Sequence, residues 1–145
     1  MRKKILIIIF LIFFSLNGYC APKTISLPEP HLKGNISVEE AMFLRRSIRN
    51  FVDKPLSLQE LSQLLWSASG ITNESGFRTA PSAGATFPLN TYVVIGNVEG
   101  IDDGIYFYYP NVNGLALKQS GDKRKDIADS CLFQKFISKA GISIV

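Results

Sequence analysis

The sequence predicts an α+β fold, and three observations carry that prediction. Helical patterns come first, a run of short strand patterns follows, and one more helix and strand close the chain; this order segregates helices from strands instead of alternating them. Hydrophobic residues make up 46% of the 145 residues and charged residues 19%, which favours one folded domain with a core over disorder. Neither G-x-G-x-x-G nor G-x-x-x-x-G-K-[ST] occurs, which argues against a doubly wound dinucleotide site or a P-loop.

The first twenty residues are read as a leader. Arg2, Lys3 and Lys4 precede a twelve-residue apolar stretch, Ile5 to Leu16, broken only by Ser15. A bilayer-spanning helix needs ~20 such residues. Gly18 and Cys20 stand at the −3 and −1 positions of a cut before Ala21, so residues 1–20 read as a cleaved secretory signal and the mature chain as exported, periplasmic or extracellular. An uncleaved anchor and a lipid on Cys20 are the alternatives; Tyr19 argues against the lipid, because a small residue is wanted before a lipidated cysteine. The leader also accounts for most of the formal charge of +4. With its three cations set aside, thirteen basic residues face twelve acidic ones, which leaves net charge no argument for nucleic-acid binding. The mature chain keeps Cys131 alone, so no intrachain disulfide is expected; in a helical-looking stretch with no histidine near in sequence, Cys131 reads as a buried small hydrophobe.

Residues 21–36, with Pro22, Pro28, Pro30 and Gly34, read as an extended linker into a domain that fills 37–145. Ser37-Val38-Glu39-Glu40 is a capping-box pattern and predicts a helix to about Arg46. Ser57-Leu58-Gln59-Glu60 repeats the pattern and opens a second helix, with Leu58, Leu61, Leu64, Leu65 and Ala68 on one side and Gly70 as its stop. Residues 71–80 read as a polar loop. Thr91 to Gly96 and Ile105 to Tyr109 are β-rich, and Leu115 to Gln119 pairs back as a hairpin across the Asn111–Gly114 turn. Residues 122–137 have helical composition, and Ile142 to Val145 begins a last strand with no turn or polar tail after it, so the domain is expected to be incomplete at its C-terminus.

Two segments could carry chemistry. Arg45, Arg46 and Arg49 surround Ser47 at the end of the first helix; a guanidinium fork binds phosphate oxygens bidentately and the hydroxyl adds a donor. The bland alternative is a set of solvated cations that favours the helix C-terminus. Pro81, Ser82, Ala83 and Gly84 are small enough for a flat ligand to approach the backbone, where Ser82, Ala83 and Gly84 can present N–H groups; a tight turn with a cap at Ser82 is the alternative.

Together these segments resemble the nitroreductase family, and within it the SagB-type dehydrogenases. The resemblance rests on Leu27-Pro28-Glu29-Pro30, Ser37-Val38-Glu39-Glu40-Ala41, Arg45-Arg46-Ser47-Ile48-Arg49-Asn50-Phe51, Leu56-Ser57-Leu58, Glu60-Leu61-Ser62-Gln63-Leu64-Leu65-Trp66, Arg78-Thr79-Ala80-Pro81-Ser82-Ala83-Gly84-Ala85 and Gly104-Ile105-Tyr106, and runs from about residue 27 to the end. It implies a nitroreductase-like fold, a central and mostly antiparallel sheet flanked by helices. It implies FMN as cofactor, with Arg45 and Ser47 on the phosphate, Arg49 at the pyrimidine edge, and Arg46 at a variable position. Pro81, Ser82, Ala83 and Gly84 would lie along the isoalloxazine ring of the other subunit in an intertwined homodimer. A cation beside N1 and O2 would stabilise the negative charge that reduction places there.

The implied activity is that of an FMN-dependent oxidoreductase, moving hydride or electron pairs from a reduced donor, NAD(P)H in reductive members, to a small organic acceptor. No catalytic side chain and no metal is assigned; His31, the one histidine, receives no role. An azoline-type peptide dehydrogenase is the alternative within the family, and an inactive remnant or flavin-binding module the alternative outside enzymes. Relatives continue beyond the last strand seen here, with further helices, a strand that crosses between subunits and more cations on the phosphate.

Overall fold

The computed structural model describes residues 23–145. The leader read at residues 1–20 therefore lies outside the described residues. Five strands form one sheet: β1 (Thr24–Ser26), β2 (Tyr92–Ile95), β3 (Gly104–Tyr109), β4 (Gly114–Ser120) and β5 (Ile142–Ile144), in the order β1-β4-β3-β2-β5. Every neighbouring pair is antiparallel. Among the described residues three α-helices accompany it: α1 (Val38–Leu44), α2 (Leu58–Ser69) and α3 (Arg124–Ser130). The α+β architecture is the expected one.

The core forms where α2 meets the sheet. Tyr106 and Tyr108 alternate with half-exposed Ile105 and Phe107 along β3, the period-two signature of a strand with one buried face. Leu61 and Leu65 of α2 are fully buried and cluster with Val93, Ile95, Tyr106, Tyr108 and Leu115. Each such leucine contributes roughly 1.5–3 kcal/mol by leaving water. α2 is started by a complete capping box: the Ser57 backbone N–H donates to Glu60 Oε2 at 2.8 Å and the Glu60 N–H donates to Ser57 Oγ at 3.2 Å. The Ser57 N–H and the Ser57 hydroxyl, both donating to Glu60 Oε2 at 2.8 Å, hold the Glu60 carboxyl below its ordinary pKa. At α1 only half the box forms, with the Glu40 N–H donating to Ser37 Oγ.

Several expectations are corrected. The stretch read as a linker is part of the domain as far as His31: β1 pairs with β4, Leu27 is buried and its N–H donates to the Asn113 carbonyl at 2.9 Å, Gln59 Nε2 donates to the Glu29 carbonyl at 3.0 Å, and the His31 N–H donates to Gln63 Oε1 at 2.8 Å. The polar residues at that junction are shared. Asn113 Nδ2 donates to the Pro28 carbonyl at 2.8 Å and to Ser62 Oγ at 3.0 Å, and the Tyr108 hydroxyl donates to Asn113 Oδ1 at 3.0 Å. This explains why α2 buries Ser62 and turns Leu64 and Ala68 outward, a rotation of the face expected from its leucines. Gly70 ends α2 in extended backbone, and its lack of a side chain answers a close approach of the Trp66 ring instead of a left-handed turn. The third helix covers only Arg124–Ser130 of the expected 122–137, and Cys131 caps it as an exposed residue, not a buried one.

Candidate functional site

The Arg45–Arg49 segment follows α1, which ends one residue earlier than its cations. Arg45 is the C-cap with φ −54° and ψ 127°, so the chain leaves the helix there and Arg45 and Arg49 are not one helical turn apart. Arg46 folds back: its guanidinium donates to the carbonyls of Phe43 and Arg45, both at 2.8 Å. That is the helix-capping role weighed for the cluster, fulfilled by one arginine. Arg45 and Arg49 stay apart from it. Among the described residues no carboxylate lies within 4.0 Å of any of the three guanidiniums. Arg49 lies over the Phe136 ring at 5.3 Å and lines a cleft with Asn50, Lys135 and Lys139. The C-terminal cations Lys135 and Lys139 were not foreseen there; nothing local in sequence links them to Arg49.

The second segment is an ordered turn. Ser82 is extended, Gly84 takes φ 63°, and Ala85 and Phe87 follow at φ 52° and 44°. Ser82 Oγ accepts the Phe87 N–H at 2.9 Å, so the hydroxyl closes the loop from Ser82 to Phe87 instead of capping a helix. Gly84 has the left-handed backbone that glycine supplies without strain. No backbone acceptor among the described residues takes the N–H groups of Ala83 or Gly84, and both residues are exposed. Pro81 and Ser82 line a cleft with Arg78, Phe87 and Thr91.

One chain does not bring the two segments into one cleft: the Arg49 cleft contains no residue of 80–89, and the Pro81 cleft none of 45–51. Residues 31–55, which include α1 and all three arginines, contain no buried residue. Met42, Phe43, Leu44, Ile48, Phe51 and Val52 are exposed along this arm, Val52 at 82%. No group of metal-ligating side chains occurs among the described residues, and no helix among them is long and apolar enough to cross a membrane. Arg49 with Lys135 and Lys139, none of them within 4.0 Å of a carboxylate among the described residues, and unspent N–H groups on a glycine turn can hold an anion and a flat polar ring edge.

Comparison with known proteins follows the same lines. Residues 44–143 match the nitroreductase family. A protein of Methanocaldococcus jannaschii is 39% identical over 110 residues, 76% of this chain and 56% of the relative. A crystal structure from Ralstonia eutropha JMP134 superposes with a TM-score of 0.63 at 36% identity, covering 70% of this chain and 46% of that one. One from Anabaena variabilis superposes at 0.69 with 22% identity, covering 85% and 26%, a likeness of fold alone. All three carry the designation "putative nitroreductase". The chain thus spans about half the length of the curated relative it matches.

Proposed function

Given that the chain belongs to the nitroreductase family, we propose that it is an FMN-dependent oxidoreductase whose site is shared between two copies. Membership supports an oxidoreductase, and members typically use a flavin. The observation that carries the cofactor reading is the pair Arg45 and Arg49, exposed and without a carboxylate within reach. Surface cations normally lie among acids; a cluster left unneutralised fits a phosphate-bearing ligand.

In this reading Arg45 and Ser47 hold the phosphate and Arg49 lies at the ring's polar edge, fixed in direction by Phe136. Pro81, Ser82, Ala83 and Gly84 of the second copy lie along the ring, with the unspent backbone N–H groups of Ala83 and Gly84 turned to its polar edge and room left at Gly84. Bound FMN would supply the hydride and electron-pair chemistry, so these residues need only bind, orient and exclude water. The arm at 31–55 supports the dimer, since its apolar side chains have no cover within one chain. NAD(P)H as donor, a small organic acceptor, the SagB-type branch with its azoline alternative, and export through residues 1–20 belong to the same proposal.

Titration of FMN into the full chain, followed by quenching of flavin fluorescence, tests it. Saturable binding is expected, weakened about tenfold or more by Arg45→Ala and by Arg49→Ala as charge-assisted contacts are lost. Absence of binding, or unchanged affinity in both variants, would reject the site. Binding without bleaching by NADH or NADPH would leave a flavin-binding module with another donor. Light scattering across a dilution series tests the dimer; a monomer at all concentrations would reject the shared site.

A further inference from the structure

Arg78 stands apart from both segments in its surroundings. Residues 71–78 form a small hairpin: Ile71 bridges Arg78, the Thr72 N–H donates to the Phe77 carbonyl at 2.7 Å, and the Phe77 N–H donates to Asn73 Oδ1 at 3.1 Å. Thr79 then anchors the hairpin to α2, its hydroxyl donating to the Trp66 carbonyl and its N–H to that of Gly70, both at 3.0 Å. Arg78 is therefore mounted on fixed backbone. Its guanidinium stacks over Phe87 at 4.7 Å. Phe87 is itself set by the Ser82 hydroxyl and by its left-handed φ.

The guanidinium has no carboxylate within 4.0 Å and no side-chain hydrogen bond to any described residue. A planar cation held on an aromatic ring, half-buried, with its donors unspent is an unusual surface cation. Arg78, Phe87, Leu89, Ser69 and Thr91 form the wall common to two adjoining clefts of about 160 and 210 Å³. Ser69 and Thr91 are hydrogen-bonded to each other at 2.8 Å, which leaves one hydroxyl hydrogen to donate. The rest of the lining is mixed: Pro88 with Ser82 in one cleft, and Phe107 with Asn90 and Asn111 in the other. Together the clefts reach only the low end of the ~300–1,000 Å³ usual for ligand pockets, which suits a single-ring molecule.

We propose that this cleft binds a small planar carboxylate, its acid group forked by Arg78 and its ring against Phe87 and Leu89. The binding claim stands on the cleft alone. Its identification as the acceptor's pocket rests on the FMN reading, through Pro81 and Ser82, which line the same cleft.

Isothermal titration of the full chain with benzoate and with neutral benzamide tests the claim. Benzoate is expected to bind at least about tenfold more tightly than benzamide, the scale of a bidentate charge-assisted contact. Arg78→Gln should erase that preference and leave benzamide unchanged, and Arg78→Lys should restore part of it, the charge without the fork. Equal affinities for the two ligands, no benzoate binding, or an Arg78→Gln chain that keeps the preference would overturn it. Benzoate binding in a chain that takes no FMN would remove the flavin reading and leave this one standing; FMN binding without benzoate would do the reverse.

Discussion

Replacing Gly96 by alanine should destabilise the chain through a residue 28 positions away. Gly96 follows β2, and a Cβ built there would run into the side chain of Arg124. That side chain is 18% exposed and fully engaged. Its Nε and Nη2 donate to the Asp122 carboxylate at 3.0 and 2.8 Å, and Nη1 donates to the Ala140 carbonyl at 3.0 Å. The bond to Ala140 matters most, because Gly141 follows, whose carbonyl accepts the Gly96 and Asn97 N–H groups and ties β5 to β2. A charged donor on a part-buried carbonyl contributes roughly 1.5–3 kcal/mol. The ion pair adds only ~0–1 kcal/mol, since Asp122 is 40% exposed and screened. Arg124→Ala should therefore cost about 2–4 kcal/mol. Gly96→Ala should cost about 2–3 kcal/mol in the native background, by expelling the guanidinium, and close to nothing in the Arg124→Ala background. Urea unfolding at neutral pH of the four chains measures this, with each single change lowering the midpoint by about 1 M at a typical slope. Additive costs would refute the reasoning and locate the damage in the backbone of residue 96. The pH dependence has a definite sign. Hydrogen bonds from Arg124 hold the Asp122 carboxyl below its ordinary range. Its stabilisation is therefore complete above the unfolded carboxylate pKa of ~3.9 and lost as pH falls through the lower folded value; Arg124→Ala should remove that acid-side component.

Other perturbations have equally direct readouts. Leu65→Ala, at a fully buried core position, should cost about 2–5 kcal/mol in the same assay, and a cost below 1 kcal/mol would deny it a place in the core. Burial raises the Tyr108 hydroxyl to about 12. Its stabilisation is complete below the unfolded value of ~10 and lost as pH rises through the folded one, so Tyr108→Phe should flatten the alkaline decline in stability and remove the last step of the ultraviolet tyrosine titration. Asn113 has φ 41° and bonds to three partners, so Asn113→Gly should cost roughly 1–3 kcal/mol from the lost bonds, and Asn113→Ala more from added backbone strain; equal costs would refute the strain component.

Local chemistry explains which parts of this fold were legible in the sequence. α2 was legible because its capping box and its leucines are short-range signals, and the β3–β4 hairpin because Asn113-Gly114 follows alternating aromatic residues. β1 was not, since three residues in a proline-rich stretch become a strand only by pairing with β4. Ser62 lies outside the leucine face expected of α2; its burial depends on Asn113 and the Pro28 carbonyl, neither of which is near it in sequence. The candidate site divides the same way. Arg45, Arg46, Ser47 and Arg49 were visible as a cluster, but the diversion of Arg46 onto the helix end was not. Arg78 stands within a motif, yet its pairing with Phe87 depends on left-handed backbone at Gly84, Ala85 and Phe87 itself, two of the three not glycine.

The placement of β1 has a consequence for the order in which the molecule can assemble. Thr24 pairs with Ala116, 92 residues later. At a synthesis rate of ~5–20 residues per second, the first strand waits roughly 5–20 s for its partner to be made. Until then Leu27 has no core to enter and the Pro28 carbonyl no donor from Asn113. β1 is thus made before the other strands yet cannot pair until β2, β3 and part of β4 exist, so the earliest strand joins the sheet after strands that follow it in sequence.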